Sequence, residues 1–210
     1  MDPKRIVRDG YDTIGGAYRP WAEAGGSETR AWFLHETLSR VPEGADVLEL
    51  GCGPGADAVA LAEGRSYTGV DISGVMIAMA RAQVPSGTFI EHDLATLDVP
   101  ESSFDAVFSL YVFGHLPSNE HVPTIERVHR WLRPSGVFCA SFPVGEDDDI
   151  EEDWIGAPMF FGGIGHEATV TALRDTGFEL ELEEVRDDTD ADMQGESFLW
   201  VIARKGPRTA

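Results

Sequence analysis

The chain has 210 residues and 42% hydrophobic content, enough for one domain with a complete core. Its 37 acidic residues against 16 basic ones give a formal charge of −21, which argues against nucleic acid, where binding rests on Lys and Arg, and against anionic membrane surfaces. No apolar run approaches the roughly 18 to 20 residues that span a bilayer, and the charged residues 1–10 lack a secretory core, so the expectation is a cytoplasmic monomer or homodimer.

Residues 9–21 read Asp-Gly-Tyr-Asp-Thr-Ile-Gly-Gly-Ala-Tyr-Arg-Pro-Trp and precede any strand pattern, so residues 1–44 are read as a helical cap on a single domain. Tyr11 and Tyr18 lie two helical turns apart and share a face, turned either into the core or over a ligand. Residues 27–40 follow, with Ala31, Leu34, Leu38 and Val41 at helical spacing behind Ser27 as an N-cap.

Residues 47–55, Val-Leu-Glu-Leu-Gly-Cys-Gly-Pro-Gly, run from an apolar strand into a glycine turn. Gly51 and Gly53 can take positive φ and let a ligand approach the backbone, and Pro54 suits the first position of a helix over 54–63. Then come strand 67–71 ending at Asp71, helix 73–83, strand 88–92 leading to Asp93, and strand 104–110. Helix 119–132, burying Val122, Ile125, Val128 and Leu132, leads into strand 136–142. This alternation predicts a doubly wound, seven-stranded, mostly parallel Rossmann-like α/β sheet, with ligands beyond the carboxyl ends of the strands at the switch point. The glycine turn, Asp71 and Asp93 then share one rim.

Residues 143–165 depart from the repeat. The acidic residues 147–153 read as a solvated loop. Trp154, Ile155, Met159, Phe160 and Phe161, in a Gly/Pro-rich setting, read as a substrate lid in preference to a dimer contact or plain core. A helix over 166–176 leads to strands 178–185 and 197–204, whose connection is too short for a parallel crossover and predicts an antiparallel hairpin. Asp188, Asp190 and Asp192 fail the calcium-loop rule, because the sixth and twelfth positions hold Met193 and Leu199, so no metal is expected. Cys52 and Cys139 read as free thiols.

The glycine turn alone leaves two cofactors open, since Gly51, Gly53 and Ala56 also satisfy the dinucleotide fingerprint. Glu49 two residues before Gly51, Pro54, and a second strand ending at Asp71 resemble the first two motifs of class I S-adenosylmethionine-dependent methyltransferases. The tyrosine pair is similar to the Tyr-Asp-x-x-Ala-x-x-Tyr opening of their small-molecule members. Phe104-Asp-Ala-Val-Phe-Ser109 resembles the fourth-strand motif, and Trp-Leu-Arg-Pro-Ser-Gly at 131–136 the turn before strand five. The resemblance covers residues 11–142. It implies S-adenosylmethionine as cofactor and S-adenosylhomocysteine as product. It also implies contacts from Tyr11, Tyr18, Glu49, Gly51, Cys52, Gly53 and Ser109, with Asp71 on the ribose, Asp93 on the adenine edge, and Ile72 and Leu94 on its faces.

His115 follows the fourth strand on the reactive rim, where an ordinary imidazole suits a general base near neutrality; a loop-holding role fits the position equally. Tyr111 is the second catalytic candidate, and Trp154, Met159, Phe160, Phe161 and His166 are the acceptor-binding candidates. The expected reaction is methyl transfer to O or N of a small, partly aromatic or heteroaromatic acceptor. A dinucleotide oxidoreductase would want a Tyr-x-x-x-Lys pair, and the only lysines are Lys4 and Lys205. A non-catalytic cofactor-binding regulatory subunit is the other alternative.

Overall fold

Successive residues of the central strands point to opposite faces of one sheet, and this divides the core into two layers. Leu48, Leu50, Val107, Phe138 and Phe142 pack on one face, Val47, Phe108, Val137 and Cys139 on the other. The computed structural model describes residues 2–24, 28–187 and 196–206, so Ser27 and residues 188–195, with Asp188, Asp190 and Asp192, lie outside it. The elements in order are α1 (Pro3–Ala24), α2 (Glu28–Leu38), β1 (Asp46–Leu50), α3 (Ala58–Leu61), β2 (Ser66–Asp71), α4 (Gly74–Gln83), β3 (Thr88–Glu91) and β4 (Phe104–Ser109). A single 3₁₀ turn, Phe113–His115, precedes α5 (Ser118–Trp131), β5 (Leu132–Pro143), β6 (Asp149–Trp154), β7 (Ala157–Phe161), α6 (His166–Thr176), β8 (Phe178–Asp187) and β9 (Ser197–Lys205).

The main sheet has seven strands in the order β3-β2-β1-β4-β5-β9-β8. β1 to β5 pair in parallel, while β9 runs antiparallel to both β5 and β8, as the short connection requires. The chain leaves β1 towards β2 and β3, then returns to the other side of β1 as β4. The switch point therefore lies between β1 and β4, where their carboxyl ends open a crevice. One face is covered by α5 and α6 through Ile125, Val128, Trp131 and Leu173; the other by α2, α3 and α4 through Phe33, Leu61, Ile77 and Ala80. Cys52 and Cys139 are free and buried.

Four expectations need correction. Helix α3 starts at Ala58, not Pro54, because Gly55 has φ +89 and packs against Ala80 of α4; residues 54–57 are a turn, and no long helix dipole faces the cavity. The buried face of α5 is His121, Thr124, Ile125, Val128 and Trp131, with Val122 exposed. In α2 the buried residues are Phe33, Leu34 and Thr37, and Ala31 is exposed. Residues 149–161 are not loops: β6 and β7 form a two-stranded antiparallel sheet.

That hairpin and α1 build a satellite core. Ile6, Val7 and Ile14 of α1 pack against Ala157, Met159 and Phe160. Gly10 lets the two come together, since a Cβ there would lie 2.8 Å from the Pro158 carbonyl oxygen. The helix is thus laid across the crevice.

Candidate active site

The turn after β1 is tied to β2 by two hydrogen bonds, the N–H groups of Gly51 and Cys52 both donating to the Val70 carbonyl at 2.7 and 3.0 Å. Gly53, at φ +49, donates its N–H to Asp71 Oδ2 at 2.9 Å, and the Ser73 N–H donates to Asp71 Oδ1 at 2.9 Å. The carboxylate is thereby fixed by backbone donors, with acceptor capacity left over. Burial pushes its pKa up to about 6, against the lowering effect of these backbone donors.

A cavity of about 700 Å³, its open mouth included, lies over this turn. Gly51 and Gly53 floor it; Asp71 and Ile72, then Asp93 and Leu94, form one wall. Lys4, Val7, Tyr11 and Tyr18 roof it from α1, and Tyr111 and His115 close the other end. The four roof residues are spaced three, four and seven apart and so share one helical face. Tyr111 has φ +62, a left-handed conformation uncommon for a residue with a side chain, and donates its N–H to Ser141 Oγ at 2.7 Å.

His115 sits in a ring of aromatics. Its Nδ1 lies 3.0 Å from the Phe160 carbonyl oxygen, which can only accept, so Nδ1 carries the proton. Its Nε2 then accepts from the Tyr11 hydroxyl at 2.8 Å. Tyr11 meets Tyr18, His115 and Trp154 edge-on at centroid distances of 5.2, 5.3 and 5.8 Å, and Phe161 lies 5.1 Å from His115. Burial holds the imidazole down at about 4, which corrects the near-neutral expectation, and burial likewise raises Tyr11 well above an ordinary phenol.

Other candidates stand behind or beside the cavity. Glu49 is buried and accepts a hydrogen bond from the Tyr67 hydroxyl; burial, then the charge of Asp57, pushes its carboxyl well above the usual range. Cys52 turns its sulfur towards Gly69, and Ser109 is fully buried with no partner for its hydroxyl among the described residues. Trp154 and Phe161 touch the rings that line the cavity, whereas Met159 and Phe160 are buried against α1. His166 is half-exposed and hydrogen-bonds Glu183 at 3.2 Å, outside the lining. Sequence reading missed Lys4, Val7 and Val112, although extending the Tyr11–Tyr18 period backwards reaches the first two. It also missed Arg30, delivered by α2, whose guanidinium donates from Nε and Nη2 to Asp57 Oδ2 at 2.9 and 2.6 Å.

A family described as a methyltransferase domain matches residues 47–136. A probable S-adenosylmethionine-dependent methyltransferase of Mycolicibacterium smegmatis is 34% identical over 186 residues, 86% of this chain and 69% of the relative. The chain belongs to the class I S-adenosylmethionine-dependent methyltransferases. A trans-aconitate 2-methyltransferase of an Azoarcus species is 32% identical over 58% of this chain, which spans about half of that relative, 49% of its length. An S-adenosylmethionine-dependent methyltransferase structure from Methanosarcina mazei superposes with a TM-score of 0.69 at 19% identity, over 81% of this chain and 97% of that one, a likeness of fold.

The methyltransferase cofactor fits the residues present. A Cβ built on Gly53 meets nothing within 4 Å beyond its chain neighbours, so the turn leaves open space there, and Asp71 offers acceptor sites beside it. Among the described residues no helix is long and apolar enough to cross a membrane, and no cluster of three or more His, Cys, Asp or Glu is placed to hold a metal.

The shifted groups make pH predictions of opposite sign. Asp71, raised in the fold, stabilises it at low pH and loses that contribution as pH climbs from about 4 to about 6. His115, depressed in the fold, stabilises it above about 6.5, and the contribution is lost as pH falls towards about 4. With the donor held on the Asp71 carboxylate, as the resemblance implies, affinity is expected to fall below about pH 6. Asp71→Ala should remove that limb and weaken binding by about 1.5 to 3 kcal/mol. Calorimetry across this range checks it; an unchanged constant in the variant would leave Asp71 as a turn-holding group alone.

Proposed function

We propose that the chain transfers a methyl group from S-adenosylmethionine to an oxygen or nitrogen of a small, partly aromatic acceptor held under α1. Asp71 accepts from the ribose hydroxyls, Asp93 from the adenine amino group, and Ile72 and Leu94 cover the adenine faces. Gly51 and Gly53 give the methionine portion passage along the turn. When bound, the cofactor supplies a sulfonium methyl already activated for displacement. The protein's work is to hold the acceptor in line, exclude water and receive a proton, with orientation worth up to about 7 to 11 kcal/mol.

The observation that carries this reading is the Tyr11–His115 hydrogen bond, set among Tyr18, Trp154 and Phe161 at the end of the cavity floored by the glycine turn. The aromatic rings give a flat acceptor its surface. Tyr11 passes its proton to His115 Nε2 as its own oxygen takes the acceptor's proton. An imidazole held near 4 suffices, because the acceptor's proton becomes strongly acidic as its bond to the methyl forms.

Incubation with methyl-labelled donor and a panel of phenols, heteroaromatic amines and trans-aconitate, read by mass spectrometry, tests the reading. A labelled methyl on a phenol or heteroaromatic amine supports it; turnover of trans-aconitate alone would replace the aromatic acceptor by a carboxylic acid. The rings also separate two roles. Trp154→Ala should raise the acceptor KM with little change in melting temperature, whereas Phe160→Ala, emptying the satellite core, should cost about 3 to 5 kcal/mol of stability. Thermal melts paired with KM values decide this; the reverse pattern would move Phe160 to the acceptor and Trp154 to the core.

A further inference from the structure

Lys4 lies in the first turn of α1, on the face that roofs the cavity, and its ammonium bridges two carboxylates on separate elements. Nζ is 3.0 Å from Asp93 Oδ2, just past β3, and 2.7 Å from Glu120 Oε1 in the first turn of α5. The other oxygen of Asp93 accepts the Ala95 N–H at 2.8 Å. The other oxygen of Glu120 is buried without a hydrogen-bond partner among the described residues, so the direct ion pair with Lys4, with the charge of Arg127 nearby, offsets this carboxylate's burial. The neighbouring cations of α1, Arg5 and Arg8, pair instead with Asp9 on the same helix. The middle of α1 has its own anchor, Asp12 Oδ1 accepting from Ser73 Oγ at 2.6 Å and from the Val75 N–H at 3.3 Å. Beside the packing of Ile6 and Val7 on the hairpin, the first turn is thus tied to β3 and α5 through Lys4.

We infer that Lys4 is a positioning residue that fastens the N-terminal turn of α1 over the adenine end of the cavity and so sets how long the donor and its product are held. The inference rests on the donor reading above, in which Asp93 receives the adenine amino group. An ammonium has three donors, so Lys4 keeps Glu120 while Asp93 turns one lone pair to the ligand. The helix then stays closed with the cavity filled. Release requires the Lys4 contacts to break, and since the three side chains are about one quarter exposed, salt weakens them.

The test follows dissociation of S-adenosylhomocysteine by stopped-flow fluorescence, and amide hydrogen exchange of residues 3–18 with and without that ligand. Wild type, Lys4→Met and Lys4→Arg are compared at low and high salt. Lys4→Met is expected to release the product about fivefold faster and to speed exchange in α1 in both states, with strand amides unchanged. Added salt should speed release from wild type and do little to the Met variant, and Lys4→Arg should restore slow release. Release and α1 exchange within twofold of wild type in Lys4→Met, or an undiminished salt response, would overturn the latch while leaving the donor site standing. Failure of the wild type to bind S-adenosylhomocysteine would overturn the donor reading and the latch with it.

Discussion

Gly53→Val is expected to abolish S-adenosylmethionine binding while the sheet still forms. The Cβ position of Gly53, which lines the cavity, meets no atom within 4 Å beyond its chain neighbours, so the added side chain would fill cavity space. At φ +49 a branched residue is strained, at a cost of about 1 to 2 kcal/mol, which a core on both faces of a seven-stranded sheet absorbs. The variant also disturbs the Gly53 N–H that fixes Asp71, removing two parts of the donor site at once. Gly51 is a different case, because a Cβ there collides with Val112 and the damage begins in the protein itself. Far-ultraviolet circular dichroism and a melting curve verify the fold, and calorimetry the binding. Retained affinity in Gly53→Val would place the donor elsewhere.

The second large effect is expected at His115. Asparagine keeps a hydrogen-bonding group near the Phe160 carbonyl but has no nitrogen able to take a proton. His115→Asn should therefore lower kcat by roughly 100 to 10,000-fold with donor affinity unchanged. Because burial holds the imidazole at about 4, the wild-type acid limb of kcat should fall near that pH and not near neutrality. Tyr11→Phe, which breaks the link between acceptor and imidazole, should lose rate in the same direction. A His115→Asn rate within a few-fold of wild type would reduce the pair to a clasp between α1 and β7, with orientation carrying the whole reaction.

Parallel strand order made the rim of the cavity legible from sequence. Gly51 and Asp93 follow β1 and β3 and Asp71 ends β2, and a doubly wound sheet must bring such residues to one rim. Side-chain direction is not legible in the motif itself. Glu49 lies on the same face of β1 as Val47, so its carboxylate points to Tyr67 behind the turn. The hairpin of β6 and β7 stayed hidden because Asp149 to Asp153 are all exposed, leaving no alternation of apolar and polar residues to mark a strand. Met159 and Phe160 were apolar for a partner, α1, whose distance in sequence gave no local sign. Lys4 was legible only through periodicity, since one lysine in a first turn carries no motif.

The most direct test of the central claim, that the cavity over Gly51, Gly53 and Asp71 holds S-adenosylmethionine, is a side-by-side calorimetric titration of the wild-type chain with S-adenosylhomocysteine and with a nicotinamide dinucleotide. One saturable site for S-adenosylhomocysteine and no measurable heat from the dinucleotide is the predicted result. Saturable binding of the dinucleotide with none for S-adenosylhomocysteine would contradict it.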